Sequence, residues 1–115
     1  MPRILVVDDD PALRRALVRV LRAAEVVPVV SAEEALVALS GSPFDAILTD
    51  YGIEPTDGVA LLGEVARAYP TLRRYLMSGF DQATFTAYVE SGLILRVFPK
   101  PLDLPALRDE MQRGG

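Results

Sequence analysis

Five short apolar runs, separated by longer stretches with helical spacing, are the feature that most constrains the fold of this chain. None of these runs alternates polar and apolar residues, which is the pattern of strands buried on both faces. Strands of this kind occur in parallel sheets that helices cover on both sides. The predicted strands are Ile4–Val7, Val26–Val30, Ala46–Thr49, Tyr75–Met77 and Leu93–Phe98.

The intervening stretches carry signals for helix starts and ends. Pro11–Ala24 places its apolar residues on one face at three- and four-residue spacing, with Asp10 at the N-cap position. Ser31 and Glu34 form a capping-box pattern for a helix that should stop near Gly41. Three further helices are predicted: from Asp57-Gly58 through Ala68, from Asp81 to near Gly92, and from Asp103 to before Gly114-Gly115.

Five strands that alternate with five helices predict an α/β domain with a parallel sheet. Right-handed crossovers leave few topologies, of which the flavodoxin-like order 2-1-3-4-5 is the plausible one. Pro28 favours an edge position for the second strand, because proline cannot donate to a sheet ladder. The length predicts a single domain over residues 1–115, with Gly114-Gly115 as the only candidate start of a linker.

Composition excludes several kinds of chemistry. With no Cys and no His, the chain has no disulfides, thiol nucleophiles, imidazole bases or His-ligated zinc. The net charge of −4 and the lack of a basic run argue against direct binding of nucleic acid by this domain. No apolar run approaches the roughly 18 residues of a membrane span, and no signal peptide is evident, so we expect a cytoplasmic protein with no membrane contact.

Polar residues stand where the predicted strands end. Asp8 and Asp9 follow the first strand, Asp50 the third, Ser78 the fourth and Lys100 the fifth. In an open parallel sheet these carboxyl ends share one edge, where ligands bind near the switch point in strand order. We therefore expect Asp8, Asp9 and Asp50 to converge.

Converging carboxylates need a countercharge. Two like charges about 4 Å apart repel by about 4 kcal/mol at an effective dielectric constant near 20. Lys100 supplies one positive charge, and Mg²⁺ is the natural further candidate because it prefers oxygen ligands. Asp9 and Asp50 would be direct ligands, Asp8 would act through water, and a backbone carbonyl near Gly52 would complete the protein's share.

This residue set suits phosphoryl transfer to a carboxylate, in which catalysis is mainly positioning and electrostatic stabilisation. Asp50 would be the nucleophile, and Lys100 and the Ser78 hydroxyl would bind the attached phosphoryl group. Asp8, Asp9 and Asp50 could instead be solvated or helix-capping acids, and Ser78 and Lys100 could be structural. We consider those alternatives weaker, because all five side chains fall at one predicted edge.

The whole chain resembles the receiver domains of bacterial response regulators, of the chemotaxis-regulator type. Four motifs carry the resemblance, in order and with family-like spacing: Ile4-Leu5-Val6-Val7-Asp8-Asp9-Asp10-Pro11, Asp45-Ala46-Ile47-Leu48-Thr49-Asp50 with Asp57-Gly58, Met77-Ser78-Gly79, and Pro99-Lys100-Pro101. The resemblance implies that a sensor histidine kinase, or a phosphotransfer protein, phosphorylates Asp50. It places the output surface on the fourth helix, fifth strand and fifth helix, which would contact an output protein or a fused effector domain.

Two positions depart from the family pattern. The aromatic residue often found three positions before the lysine is Val97 here, which puts aromatic rotation in doubt as the relay. The proline common four positions after the acceptor is Glu54, with Pro55 next.

Two rival functions remain open. A pseudo-receiver would act as a binding module without phosphorylation, and Val97 keeps that reading open. A phosphatase of the haloacid dehalogenase type would also use an Asp nucleophile, but its Asp-x-Asp-x-Thr/Val motif ends here in Ala12. We therefore predict a chain that catalyses only its own phosphorylation and dephosphorylation, rather than an enzyme acting on a separate substrate.

Overall fold

The computed structural model describes residues 1–113, so the predicted linker start at Gly114-Gly115 lies outside the described residues. Strands and helices alternate along the chain, and a short 3-10 helix over Gln82–Phe85 precedes the fourth α-helix. The elements are β1 (Arg3–Val7), α1 (Pro11–Val20), β2 (Glu25–Val29), α2 (Ala32–Gly41), β3 (Ala46–Asp50), α3 (Gly58–Ala68), β4 (Arg73–Ser78), α4 (Thr86–Glu90), β5 (Arg96–Pro99) and α5 (Leu104–Arg113).

The five strands form one parallel sheet in the order β2-β1-β3-β4-β5, which confirms the predicted flavodoxin-like α/β fold. β2 is an edge strand, as Pro28 predicted. The backbone N–H of Glu25 donates to Pro2, and that of Asp8 donates to the carbonyl of Val29. The backbone N–H and C=O groups of the odd-numbered residues of β2 therefore point toward β1. The C=O group of Pro28 points away from the sheet, so its missing N–H costs the sheet no hydrogen bond.

Helices cover both faces of the sheet, which explains why the strands are apolar throughout. On one face, α1 and α5 pack on the sheet through Leu17, Leu107 and Met111. On the other face, α2 and α3 pack through residues such as Leu39 and Leu62, and Phe85 of the 3-10 helix joins the same layer. Among the described residues, no helix is long and apolar enough to cross a membrane.

Predicted caps are confirmed at the starts of four α-helices. The side chains of Asp10, Ser31, Asp57 and Asp103 accept backbone N–H groups of α1, α2, α3 and α5. The capping box at α2 is altered, because the Glu34 carboxylate accepts the N–H of Val30 at 3.2 Å, one residue before the cap. Glu34 therefore ties the end of β2 to the start of α2.

Two predicted boundaries were wrong. The first helix ends at Val20 instead of Ala24, since Leu21–Ala23 form a turn that lets β2 begin at Glu25 opposite Arg3. The last strand begins at Arg96 and not at Leu93, because the buried Ile94 packs in the core before the strand starts.

The predicted fourth helix, Asp81 to near Gly92, is divided. Asp81 caps the 3-10 helix over Gln82–Phe85, and α4 spans only Thr86–Glu90. Apart from Phe85, the side chains of this segment are exposed, so little packing energy favours a regular helix over its full length.

A polar network ties the far end of α5 to the sheet. The Tyr75 hydroxyl donates to Glu110 Oε2 at 2.9 Å, and Arg96 Nη1 lies 3.4 Å from Glu110 Oε1. Arg73 also donates to the backbone carbonyls of Glu110 and Met111. Burial of the Tyr75 ring, followed by its hydrogen bond to Glu110, raises the pKa of Tyr75 to about 12.

This network predicts an alkaline loss of stability. The folded pKa of Tyr75 lies above its ordinary value of 10.0, so the protonated phenol contributes stability below pH 10 that is lost as pH rises toward 12. Across that range we expect the free energy of unfolding of the wild type to fall by about 2 kcal/mol more than that of Tyr75→Phe. Urea unfolding at several pH values measures this difference, and parallel pH curves for the two proteins would contradict the assignment.

Candidate functional site

The carboxyl ends of four strands bring the predicted site residues to one edge of the sheet. Asp50 and Ser78 are the last residues of β3 and β4, and Asp8 and Lys100 immediately follow β1 and β5. Val7 pairs with Thr49 in the sheet register, so Asp8 and Asp50 leave neighbouring strands at the same level. Of the three acids expected to converge, Asp8 and Asp50 therefore leave neighbouring strands together, whereas Asp9 is exposed.

The Lys100 ammonium joins the two carboxylates. Its Nζ lies 2.9 Å from Asp50 Oδ1 and 3.8 Å from Asp8 Oδ2. The backbone N–H of Lys100 donates to the carbonyl of Ser78 at 2.9 Å, which fixes where the lysine leaves the sheet. The Asp50 and Lys100 side chains are 15% and 33% exposed, so this carboxylate and its countercharge both remain reachable from solvent.

Asp8 is the most buried acid of the site, at 1% exposure. Its Oδ1 accepts the N–H of Asp10 at 2.7 Å, whereas its buried Oδ2 has no hydrogen-bond partner among the described residues. Burial raises the pKa of Asp8 above its ordinary value, and the negative charges of Asp50 and Asp9 act in the same direction. The hydrogen bond from Asp10 and the charge of Lys100 oppose the rise. An added positive charge stabilises the ionised form of a buried carboxylate whose pKa is raised in this way.

The site suits a hard divalent cation, although its residues do not form a closed cage. Within the described part of the chain, no three acidic side chains come together as a ready metal site. Asp8 Oδ2, which accepts no hydrogen bond among the described residues, and the nearby Asp50 carboxylate are nevertheless the oxygen donors that Mg²⁺ prefers. Mg²⁺ usually takes one or two carboxylates and completes its shell with water and phosphate oxygens, so an incomplete protein cage fits this ion.

The other two predicted metal residues lie at the margin of the site. Asp9 is exposed, and its negative charge contributes to the raised pKa of Asp8. Gly52 is exposed in the loop after β3, and a Cβ on it would lie 3.9 Å from Asp50 Oδ2. The backbone at Gly52 is thus close to the Asp50 carboxylate, whereas the ligand roles of Asp9 and Gly52 stay predictions.

The Ser78 hydroxyl is buried beside the loop that follows β4. Its side chain is 2% exposed, and its Oγ accepts the N–H of Phe80 at 3.0 Å. The hydroxyl is therefore bonded within its own loop, and it must turn away from Phe80 to bind a group on Asp50.

Sequence reasoning missed one close contact that shapes the site. Gly58 opens α3 directly against the strand end, and a Cβ there would lie only 2.5 Å from the backbone oxygen of Asp50. The Gly58 N–H also donates to the carbonyl of Tyr51 at 2.8 Å. The Asp57-Gly58 pair was interpreted as a helix start and as part of a family motif, and no local pattern indicates that the glycine faces the backbone of Asp50.

The fold and these side chains together define an α/β domain with an acidic, lysine-containing site at the carboxyl ends of the strands of a parallel sheet. The family described as "Response regulator receiver domain" matches residues 4–112, so the chain belongs to the response regulator receiver domain family. This confirms the resemblance that the four motifs carry.

Individual relatives agree with that membership. Response regulator protein FleR of Pseudomonas aeruginosa is 33% identical over 113 residues, which cover 96% of this chain and 24% of FleR. Response regulator receiver protein CpdR of Brucella abortus is 29% identical over 115 residues, 98% of this chain and 96% of CpdR. A crystal structure of adenylate cyclase from Rhodopirellula baltica superposes with a TM-score of 0.91 at 28% identity, over 98% of this chain and 86% of that one. The chain thus spans about a quarter of FleR and nearly all of CpdR.

Proposed function

We propose that this chain is a single receiver domain over residues 1–115 that accepts a phosphoryl group on Asp50. The contact that carries the proposal is the Lys100 ammonium, 2.9 Å from Asp50 Oδ1 and 3.8 Å from Asp8 Oδ2. Lys100 thereby holds a positive charge beside the carboxylate of Asp50, which ends β3 and is partly exposed to solvent. An ammonium in this place stabilises the charge that develops on a transferring phosphoryl group.

The proposed transfer needs no external base. A carboxylate oxygen of Asp50 forms a bond to phosphorus while the phosphorus–nitrogen bond of a donor phosphohistidine breaks, and the bonding electron pair stays with the imidazole. Asp50 thereby gains a phosphoryl group with no change in oxidation state. Lys100 then pairs with a phosphoryl oxygen, and the Ser78 hydroxyl turns from Phe80 to donate to another.

Receiver domains in general bind Mg²⁺, and Asp8, Asp9, Asp50 and the backbone at Gly52 are the groups we propose to hold it here. When bound, the ion neutralises the acidic cluster and the phosphoryl oxygens. The chain's own residues do the rest, since Asp50 attacks and Lys100 and Ser78 orient the transferred group. Like other aspartyl phosphates, the product is a covalent intermediate and leaves the chain unchanged after hydrolysis.

Partners follow from the same chemistry. We propose a sensor histidine kinase or phosphotransfer protein as the donor, and an output protein or fused effector domain as the recipient of the signal. Exposed apolar side chains on α4 and before β5 support an output surface there: Tyr88, Val89 and Leu95 are 41%, 39% and 53% exposed. Val89 and Leu95 line one surface groove, and exposed apolar surface of this kind marks interaction sites.

Phosphorylation by a small donor tests the proposal directly. We expect incubation with acetyl phosphate or phosphoramidate and Mg²⁺ to add the mass of one phosphoryl group to the intact protein, and peptide mapping to place it on Asp50. Removal of Mg²⁺ by a chelator should suppress the reaction, because the acidic cluster then lacks its countercharge. An unmodified mass, under conditions that label a known receiver, would contradict the proposal and favour the pseudo-receiver.

Asp9→Asn separates metal binding from phosphoryl acceptance. We expect this variant to be labelled at saturating Mg²⁺ but to need a higher Mg²⁺ concentration for half-maximal labelling, because one anionic ligand is lost. An unchanged Mg²⁺ requirement would remove Asp9 from the proposed ligand set.

A further inference from the structure

The segment over residues 79–92, between β4 and β5, has a single buried side chain, and its Gln82 Nε2 also donates to the carbonyl of Val97 at 3.2 Å. Of residues 79–92, all of which the structure describes, only Phe85 is buried, at 1% exposure. Phe85 is the last residue of the 3-10 helix and the N-cap residue of α4, yet no side chain caps α4 there. A segment with so few buried contacts moves easily, so the packing of Phe85 is a main influence on where α4 lies.

Aromatic rings connect this attachment point to the site. Tyr51, the residue after Asp50, packs on Phe85 with ring centroids 5.4 Å apart. Tyr51 also meets Phe80 edge-to-face, at 5.5 Å and 88°. Phe80 is 61% exposed, yet its backbone N–H donates to the Ser78 hydroxyl. A continuous path of contacts therefore runs from Ser78 through Phe80 and Tyr51 to Phe85.

The side chains of β5 offer no equivalent path. Val97 is 7% exposed, packed in the core layer that contains Phe85, and its branched side chain has neither a ring nor a polar group. Phe98 is 2% exposed in the opposite core layer, where its ring lies 5.9 Å from that of Tyr75. Because successive strand residues point to opposite faces, Phe98 cannot replace an aromatic side chain at position 97.

We infer that Tyr51, Phe80 and Phe85, here called the aromatic relay, transmit the state of the Ser78 hydroxyl to α4. This inference rests on the proposed function, since phosphorylation of Asp50 is what turns the hydroxyl. When Ser78 turns toward the phosphoryl group, the Phe80 N–H loses its acceptor, and the Phe80 backbone and ring shift. Tyr51 then follows Phe80, Phe85 changes its packing, and α4 moves with it. Loss of one aromatic pair of this kind should change the equilibrium constant between the two positions of α4 by about two- to tenfold.

Hydrogen exchange on the full chain tests the relay, with beryllofluoride and Mg²⁺ as a stable mimic of the phosphoryl group. In the wild type we expect the mimic to change amide exchange over residues 79–92. Phe80→Ala should bind the mimic and be labelled by phosphoramidate at Asp50, while its exchange change over 82–92 falls about two- to tenfold. Since Phe80 is mostly exposed, this variant should fold normally.

Two matched variants separate the relay from a general loss of apolar surface. Phe80→Tyr keeps the ring and should restore the full exchange change over 82–92. Val37→Ala removes another exposed apolar side chain, 67% exposed on α2 and outside the relay, and should leave the change intact. Val97→Ala should also retain it, because position 97 is not part of the path.

The outcomes distinguish failure of the aromatic relay from failure of the proposed function. A full exchange change in labelled Phe80→Ala would overturn the relay and leave the proposed function standing. Loss of the change in Val97→Ala, with Phe80→Ala unaffected, would assign the coupling to β5 and also overturn the relay. A wild type that neither binds the mimic nor is labelled would overturn the proposed function, and the relay with it.

Discussion

The Asp50→Asn variant is expected to take no phosphoryl group from acetyl phosphate or phosphoramidate while remaining folded. An amide lacks the anionic oxygen that attacks phosphorus. Neither neighbour can substitute, because Asp8 is 1% exposed and Lys100 carries a positive charge. Intact-mass analysis over time, at saturating Mg²⁺, measures the loss as labelling below detection.

Asp45→Asn is the matched control for this experiment. Asp45 immediately precedes β3, at the opposite end of that strand from Asp50. Its Oδ2 accepts the N–H of Arg3 at 2.7 Å, a hydrogen bond that the side-chain oxygen of Asn can also accept. The control removes the same charge by the same substitution and should be labelled at the wild-type rate. Full-rate labelling of Asp50→Asn would show that the acceptor is another residue.

Gly58→Ala is expected to damage both stability and phosphorylation. The added Cβ would lie 2.5 Å from the Asp50 backbone oxygen and 2.8 Å from Leu76 Cδ1, so α3 and the end of β3 must separate. Overpacking of this kind costs about 1–3 kcal/mol. The displaced Asp50 should be labelled more slowly, by about 10- to 100-fold. Urea unfolding and labelling rates measure the two effects.

The same helix provides a control of opposite sign. At Gly63, in the interior of α3, the nearest atom to an added Cβ is the Nη1 of the flexible Arg67, 4.0 Å away. Gly63→Ala should therefore stabilise the protein by about 0.5–1 kcal/mol and leave labelling unchanged. If Gly58→Ala behaved like Gly63→Ala, the close approach to Asp50 would have no role in placing the acceptor.

Strand order and most of the site were predictable because they depend on simple geometric rules. Buried parallel strands leave apolar runs in the sequence, and the carboxyl ends of such strands share one edge. Those two rules are enough to bring Asp8, Asp50, Ser78 and Lys100 together, since each follows or ends a different apolar run.

The features that were missed depend on contacts between distant parts of the chain. The division of the fourth helix follows from how little of residues 79–92 is buried, which local spacing does not reveal. The fit of Gly58 against Asp50 requires the exact packing of α3 on β3 and β4. The contacts of Tyr51 with Phe80 and Phe85 join the loop after β3, the loop after β4 and the 3-10 helix, and no local pattern in the sequence indicates them.

Pro28 also affects how the molecule can meet other chains. An edge strand normally presents a row of free N–H groups onto which another extended chain can add, a common route to aggregation. On the outward side of β2, Pro28 has no N–H, and the N–H of Val30 is already bonded to the Glu34 carboxylate. This side of the sheet is thereby a poor template for cross-strand growth, which disfavours aggregation through this edge strand.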